Sequence, residues 1–303
     1  MSVNKKTILV IGSGTMGNGI AHSFAQHHFP VLLFDSNTEA LHKSIQTISL
    51  NLERQISKGI IPSQEKEFIL SHISFVSELK EAAETATLVI EAVPESITIK
   101  AELFHLLDQY CTEETILASN TSSISITRLA SVTKRPDKVI GMHFMNPVPV
   151  MKLVEVINGL QTSKQTTDII VSIAGLIGKT PLVVADYPGF VSNRVLMPMI
   201  NEAIYCLYEG IAGIEEIDQI MKLGMSHPMG PLELADYIGL EVCLNILKIL
   251  QDGFGNPKYA PCPLLINMVQ AGMKGSKSKK GFYDWTDAKN RIPNIELLIL
   301  NKA

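Results

Sequence analysis

A glycine-rich turn directly after an apolar run near the N-terminus constrains the fold of this chain more than any other feature. Residues 8–20 read ILVIGSGTMGNGI and place the pattern G-x-G-x-x-G at Gly12, Gly14 and Gly17, between a strand pattern and a helix pattern. Gly12 suits a tight turn, Gly14 lets a pyrophosphate approach the backbone, and Gly17 lets the helix pack close to the strand. Because the start of a helix also favours anions, the motif predicts a dinucleotide-binding domain.

The acid that ends the second predicted strand indicates which dinucleotide binds. Asp35 closes the run VLLFD at 31–35. A carboxylate at this place can accept hydrogen bonds from both ribose hydroxyls of adenosine and would repel a 2′-phosphate. NAD is therefore favoured over NADP. FAD stays a smaller possibility, because FAD enzymes are usually longer and differently arranged.

Strand and helix patterns alternate through most of the chain. This alternation predicts an α/β fold with a doubly wound, Rossmann-type sheet. The strand runs are apolar throughout, as expected of a mostly parallel sheet that helices cover on both faces. The predicted strands are 7–11, 31–35, 73–76, 88–93, 115–119, 138–144, 151–157 and 180–185. Residues 38–71 lack a strand pattern and predict a helical hairpin, split at Pro62, that projects from the sheet.

The pattern of apolar residues changes after Pro188 and Gly189, which mark a predicted domain boundary. The later part shows helical spacing and no strand runs. Predicted helices there are 190–209, 214–222, 231–250 and 262–272. We therefore expect an NAD-binding domain over residues 1–186 and an all-helical domain over residues 187–303.

Composition excludes several classes of partner. The net charge of −4 argues against nucleic acid or an anionic membrane as the main partner. The four cysteines are scattered without C-x-x-C spacing, so neither a zinc site nor a disulfide framework is predicted. No apolar stretch is long enough to span a bilayer. A cytoplasmic protein without a bound metal is the expectation.

Two apolar runs in residues 140–157, IGMHFMNPVPVMKLVEVI, each carry one ionisable residue. His143 lies in the first run and Glu155 in the second, with a proline-bracketed turn at 146–149 between them. A lone histidine in an apolar run is more often a satisfied core residue. If the two strands lie side by side, however, the carboxylate can fix the imidazole tautomer and stabilise the imidazolium. His143 could then serve as a general base near neutral pH.

Five motifs together resemble the L-3-hydroxyacyl-CoA dehydrogenases, most of all the shorter bacterial 3-hydroxybutyryl-CoA enzymes. They are SNTSS (119–123), HFMNPVPVMKLVEVI (143–157), PGFVSNR (188–194), GPLELADYIGL (230–240) and GFYDW (281–285). The resemblance covers nearly the whole chain. It implies an NAD-dependent homodimer, joined through the helical domain, that interconverts a (3S)-3-hydroxyacyl-CoA and a 3-ketoacyl-CoA in fatty acid or butanoate metabolism.

The resemblance also implies roles for individual residues. By motif position, His143 would be the general base and Glu155 its partner, while Asn193 and Ser122 would contact the substrate near the reacting carbon. Lys58 on the hairpin would meet the CoA moiety. In the glycine-rich loop the dinucleotide contacts are expected at Gly12, Gly14, Thr15, Met16 and Gly17, with Asp35 after the second strand. The resemblance adds Glu95, Lys100, Ser122, Asn146 and Lys277 to these contacts.

The chain departs from the family pattern at a few positions. Segment 91–96 reads EAVPES, where the family usually has Val and Asn in place of Pro94 and Ser96. Asn51 stands where some members have a CoA-contacting serine, so no CoA contact is assigned to it. None of these departures touches the proposed base, its carboxylate partner or Asn193.

Two other functions remain open on the sequence. One is a dehydrogenase of similar fold that acts on a small free hydroxy acid. Such enzymes often use a lysine base in the helical domain, and no lysine follows PGFVSNR until Lys222. The other is a non-catalytic protein that binds NAD, against which the set Ser122, His143, Glu155 and Asn193 counts.

Overall fold

The computed structural model describes residues 6–287 and 289–294. The chain divides into two compact units, Met1–Tyr187 and Pro188–Ala303. Among the described residues, none of the helices has both the length and the apolar character needed to cross a bilayer.

The first unit is built on an eight-stranded sheet of order β3-β2-β1-β4-β5-β6-β7-β8. Its strands are β1 (Ile8–Ile11), β2 (Val31–Phe34), β3 (Ile73–Val76), β4 (Leu88–Glu91), β5 (Ile116–Ser119), β6 (Val139–Phe144), β7 (Leu153–Asn158) and β8 (Thr180–Ala185). All neighbouring pairs are parallel except β6 and β7, which are antiparallel. The mostly parallel, doubly wound sheet predicted from the sequence is thus confirmed.

Helices cover this sheet and complete its core. They are α1 (Thr15–Gln26), α2 (Thr38–Ser57), α3 (Glu65–Leu70), α4 (Leu79–Thr85), α5 (Ile97–Tyr110), α6 (Ile126–Ala130) and α7 (Lys164–Leu176). Helices α2 and α3 form the hairpin expected over 38–71. Its first helix is amphipathic and buries Leu41, Ile48 and Leu52 in the same apolar core as the strands. That half of the hairpin therefore stabilises the sheet domain.

The second unit is helical and has a core of its own. It contains α8 (Ser192–Tyr208), α9 (Ile214–Gly224), α10 (Pro231–Ile238), α11 (Leu240–Phe254) and α12 (Pro263–Gln270), with a small two-stranded sheet of β9 (Tyr283–Asp284) and β10 (Ile292–Pro293). The prediction of a single helix over 231–250 is wrong, because the helix is interrupted at Gly239. That residue has φ +107°, which is outside the helical region and favours glycine.

A buried carboxylate fastens residues 281–285 to this helical core. Asp236 in α10 accepts hydrogen bonds from the backbone N–H of Phe282 at 3.0 Å and of Tyr283 at 2.9 Å, and from Trp285 Nε1 at 2.9 Å. Burial raises the pKa of Asp236 to about 6, against the opposing effect of these three donors. The GFYDW motif is thus held by polar bonds inside the unit.

Asp218 in α9 extends the same network. It accepts hydrogen bonds from the Tyr283 hydroxyl at 2.8 Å and from the backbone N–H groups of Leu232 and Glu233 at 2.8 and 2.9 Å. The last two belong to the first turn of α10, where backbone donors lack helical partners and an anion is favourable. Asp218 therefore joins α9, the start of α10 and the 281–285 segment.

Sheet direction brings several loops of the first unit to one edge. Because β1, β2, β4, β5 and β6 run parallel, the segments that follow their carboxyl ends all leave the sheet there. These segments are the glycine-rich loop, Asp35 and the residues that follow β4, β5 and β6. In open α/β sheets this edge is where ligands bind.

Candidate active site

The three glycines of the loop after β1 meet different surroundings. Gly12 has φ +96°, and a Cβ there would lie 2.6 Å from the carbonyl oxygen of Ala92. A Cβ on Gly17 would lie 1.8 Å from the carbonyl oxygen of Gly12. Beside Gly14, in contrast, no heavy atom lies within 4 Å of such a Cβ. Packing thus requires the outer two glycines, while the backbone at Gly14 is open to a ligand.

Asp35 is tied directly to this loop. Its Oδ2 accepts hydrogen bonds from the backbone N–H and the hydroxyl of Ser13 at 2.7 and 2.8 Å, and its Oδ1 accepts one from the N–H of Asn37 at 2.9 Å. Partial burial opposes ionisation, but these hydrogen bonds outweigh it and lower the pKa of Asp35. An ionised carboxylate therefore stands beside the glycine-rich loop. Thr15 is exposed at the start of α1, and Met16 packs against the core.

A buried ion-pair network follows β4. Glu91 is fully buried; its Oε1 lies 2.5 Å from Lys100 Nζ, and its Oε2 accepts a hydrogen bond from Ser119 Oγ at 2.6 Å. Lys100 is only 1% exposed and also lies 3.2 Å from Glu95 Oε2. In this arrangement Lys100 is an interior cation that holds Glu95, and not an exposed group that offers its charge to a ligand directly.

Glu95 organises the loop that carries Ser122. Its Oε1 accepts hydrogen bonds from the Ser122 N–H at 3.1 Å, the Ser123 hydroxyl at 2.9 Å and the Thr121 hydroxyl at 2.5 Å. Burial alone would raise the pKa of Glu95, but Lys100 and the hydroxyls of Thr121 and Ser123 lower it. The ionised Glu95 thus fixes the half-buried Ser122 at the carboxyl end of β5.

His143 and Glu155 meet across the antiparallel pair of strands. The register places them directly opposite each other, with His143 Nδ1 2.8 Å from Glu155 Oε2. They are 8% and 3% exposed, so the pair is largely shielded from water. A carboxylate can only accept a hydrogen bond, so Nδ1 carries the proton, and in the neutral ring the lone pair is then on Nε2. This tautomer is the one that a general base requires.

Sequence reasoning missed two residues that shape this site. Glu91 anchors Lys100, and its signal was the single acid in the apolar run LVIEAV, the same signal that identified Glu155. Asn120 accepts a hydrogen bond on its Oδ1 from the Phe144 N–H at 2.9 Å and so joins the loop after β5 to the residue next to His143. Its signal was its place inside the SNTSS motif.

A groove of about 360 Å³ opens beside the glycine-rich loop. One wall comes from the loop and α1, a second from α2, and a third from the turn that links β6 to β7. The lining residues are Ser13, Gly14, Thr15, Asn18, Gly19, Ala40, Lys43, Ser44, Thr47, Asn51, Asn146, Pro147, Val148 and Pro149. Lys43 brings a positive charge to an otherwise neutral lining, which suits a ligand that carries phosphate.

Three of the predicted site residues are not carried by the loops at the carboxyl edge of the sheet. Lys58 caps the exposed C-terminal end of α2 and is not among the groove-lining residues. Asn193 belongs to the second unit, in the first turn of α8, and is 9% exposed. Lys277 is exposed on a short 3-10 helix, Ser276–Ser278, also in the second unit.

Comparison with protein-family models finds two adjoining matches. The model described as the NAD binding domain of 3-hydroxyacyl-CoA dehydrogenase matches residues 7–187. The model described as the C-terminal domain of 3-hydroxyacyl-CoA dehydrogenase matches residues 189–285. Together they account for most of the chain.

Individual relatives agree with the family models. The chain is 54% identical over 282 residues to the probable 3-hydroxybutyryl-CoA dehydrogenase of Bacillus subtilis (strain 168), covering 93% of this chain and 98% of that protein. It is 50% identical over 278 residues to the 3-hydroxybutyryl-CoA dehydrogenase of Clostridioides difficile, covering 92% of this chain and 99% of that one. The crystal structure of (S)-3-hydroxybutyryl-CoA dehydrogenase PaaH1 from Ralstonia eutropha gives a TM-score of 0.91 at 44% identity, covering 94% of this chain and 100% of that one.

Proposed function

Because the chain belongs to the 3-hydroxyacyl-CoA dehydrogenase family, we propose that it is the NAD-dependent enzyme that interconverts (3S)-3-hydroxybutyryl-CoA, or a similar short-chain 3-hydroxyacyl-CoA, and the matching 3-ketoacyl-CoA. The single observation that carries this proposal is the buried His143–Glu155 pair at the ligand-binding edge of the sheet. It supplies a base where the oxidation of a secondary alcohol needs one.

The residues of the glycine-rich loop fit NAD. The open space beside Gly14 allows a pyrophosphate to reach the backbone at the start of α1, where unpaired N–H groups favour an anion. The carboxylate of Asp35 is suited to the ribose hydroxyls and unfavourable for a 2′-phosphate. When bound, NAD supplies the acceptor for the hydride.

In the oxidative direction His143 would take the proton of the substrate hydroxyl on Nε2. The ketone forms when the carbinol carbon loses a hydride and its hydroxyl oxygen loses a proton. The hydride acceptor must therefore reach the carbon, and the base the oxygen bonded to it. Glu155 would stabilise the imidazolium that forms and keep the ring oriented. In the reductive direction the protonated His143 would return the proton to the ketone oxygen.

Ser122 and Asn193 are the proposed hydrogen-bond donors to that oxygen as negative charge builds on it. Donors of this kind contribute roughly 3 kcal/mol each to the transition state. Glu95 supports the role of Ser122 by holding its backbone N–H. For Asn193 the support is its match to the PGFVSNR motif and its burial at the start of α8.

The groove between α1, α2 and the β6–β7 turn is the proposed place for the CoA part of the substrate. It adjoins the glycine-rich loop, and Lys43 gives it a positive charge. Thr47 adds a neutral hydrogen-bonding group on α2. A small free hydroxy acid would leave most of this groove unused.

We also propose that the enzyme is a cytoplasmic homodimer and that it serves fatty acid or butanoate metabolism. Large apolar side chains on the second unit are exposed, among them Ile211, Ile220, Leu223 and Met225. Exposed apolar groups of this kind support association through that unit. Light scattering coupled to size exclusion tests the dimer, and a monomer mass would contradict it.

A spectrophotometric assay with acetoacetyl-CoA and NADH tests the activity. Oxidation of NADH that depends on acetoacetyl-CoA supports the proposal. Equal or faster turnover of a free 3-keto acid, such as acetoacetate, would point to a small hydroxy acid instead. Binding of NADH without turnover of either substrate would indicate a non-catalytic protein.

A further inference from the structure

The turn that links β6 to β7 joins the two strands that carry the proposed catalytic pair. It follows His143 on one strand and precedes Glu155 on the next, and its residues Asn146–Pro149 form one wall of the groove. Inside the turn, the N–H groups of Val150 and Met151 both donate to the carbonyl of Pro147 at 3.0 Å. A shift of this turn would move the groove wall.

Lys179 holds this turn from outside. It lies between α7 and β8, and its Nζ donates to the carbonyl oxygens of Val148 and Met151, the latter at 2.9 Å. Hydrogen bonds from an ammonium group are charge-assisted and stronger than neutral ones. The side chain is half-buried, which lowers the pKa of Lys179. Of its two carbonyl acceptors, Val148 lies within the turn and Met151 lies two residues after it.

The turn also packs closely against α1. A Cβ on Gly19 would lie 2.8 Å from the Cβ of Val148, so α1 and the turn approach more closely than any larger residue would allow. His22, one turn further along α1, is buried, and burial lowers its pKa to about 4. Since His22 is neutral near pH 7, the positive charge at this place comes from Lys179.

We propose that Lys179 is a positioning residue for substrate binding: it fixes the β6–β7 turn as the groove wall against which the CoA part of the substrate lies. Lys179 would act through the turn, without touching the substrate. This inference rests on the proposed function, since it takes the groove to be the CoA site. It separates Lys179 from the residues that carry out proton transfer.

The experiment compares Lys179→Met with Lys164→Met. Lys164 is a matched control because it belongs to the same unit, has a side chain that is 86% exposed and pairs with Asp168 one helical turn away. For each variant the KM for acetoacetyl-CoA, the kcat and the thermal midpoint are measured. Hydrogen–deuterium exchange of the peptide that contains Val150 and Met151 is recorded as well.

We expect Lys179→Met to raise the KM for acetoacetyl-CoA about tenfold, as the loss of a charge-assisted anchor would, while kcat stays within about threefold. Hydrogen–deuterium exchange in the turn peptide should become faster. Lys164→Met should change neither the KM for acetoacetyl-CoA nor the exchange of that peptide. An unchanged KM, or a fall in kcat alone, would overturn the proposal. If Lys179→Met does not fold, Lys179→Gln is measured with the same criteria.

The exchange measurement separates this proposal from the proposed function. If the unaltered protein does not turn over acetoacetyl-CoA, the proposed function fails, and the exchange data still decide whether Lys179 holds the turn. If activity is present and exchange in the turn is unchanged in Lys179→Met, the anchoring role is refuted and the proposed function stands.

Discussion

His143 and Glu155 face each other across β6 and β7, with Nδ1 of the imidazole 2.8 Å from Oε2 of the carboxylate. Antiparallel pairing puts the two side chains on the same face of the sheet at the same level. The contact therefore depends on the register of two strands, and backbone hydrogen bonds keep that register. A pair held in this way would be preorganised for the proposed proton transfer.

Replacement of His143 by glutamine should remove the base. We expect kcat to fall by about 10²–10⁴-fold, the usual contribution of a general base. Steady-state kinetics with acetoacetyl-CoA and NADH measure this loss. His105→Gln, an exposed change in α5, serves as the control and should keep full activity. A His143→Gln enzyme with more than about a tenth of the normal activity would remove the base assignment.

Replacement of Glu155 by glutamine should keep the shape of the pair and remove its charge. We expect kcat to fall by about 10²-fold, because the imidazolium loses its stabilising partner and the ring its preferred tautomer. The KM for NADH should change little. Glu84→Gln, at an exposed surface pair, is the matched control. Equal kcat values in the two variants would contradict the role of Glu155.

Alanine at Gly14 should weaken NADH binding, whereas alanine at Gly17 should destabilise the fold. At Gly14 the added Cβ meets no atom within 4 Å, so the protein should fold normally and bind NADH about tenfold more weakly. At Gly17 the added Cβ meets the Gly12 carbonyl oxygen at 1.8 Å, which should destabilise the fold by about 1–3 kcal/mol or more. Thermal midpoints and NADH titrations test both. A normal midpoint for Gly17→Ala would contradict the close packing.

The buried Asp236 should make the stability of the protein depend on pH. Its pKa is raised from the ordinary value of 3.8 to about 6 in the folded protein. Between these two pH values the folded state still holds the proton, whereas the unfolded state has already lost it. Stability from this group is therefore greatest below pH 3.8, falls as pH rises towards 6 and then levels off. The total change is roughly 3 kcal/mol.

Denaturant titrations of the unaltered protein and of Asp236→Asn at several pH values measure this effect. The variant should be less stable, because an amide cannot accept all three N–H donors, and it should lack the decline between pH 4 and pH 6. Asp168→Asn, at an exposed surface pair, should retain that decline. The same decline in Asp236→Asn would assign it to other groups.

Much of the fold follows from local patterns in the sequence. Each of the apolar runs predicted as a strand forms one in the sheet. In the inner strands β1, β4, β5 and β6 every residue is buried, which leaves few places for polar residues. The exceptions were informative, since Glu155 and Glu91 both interrupt such runs with a carboxylate. His143 could be paired with Glu155 in advance because a short proline-bracketed turn separates their strands.

Other features depend on contacts between distant parts of the chain. The sequence shows Glu91 as an acid in an apolar run, but only the structure shows that Lys100, on the following helix, is its partner. Gly239 interrupts a segment whose apolar spacing continues on both sides, so periodicity alone predicted one long helix. The strands β9 and β10 have two residues each, too few for a recognisable alternation.

The bonds that Asp218 and Asp236 make to residues 281–285 have a consequence for biosynthesis. Until that segment has left the ribosome, both carboxylates lack donors that the finished helical core provides. Burial of the Asp236 carboxylate without these donors is unfavourable, so the packing around α10 is complete only when residues 281–285 are in place. Residues 281–285 must thus be synthesised before the helical core can reach its native packing.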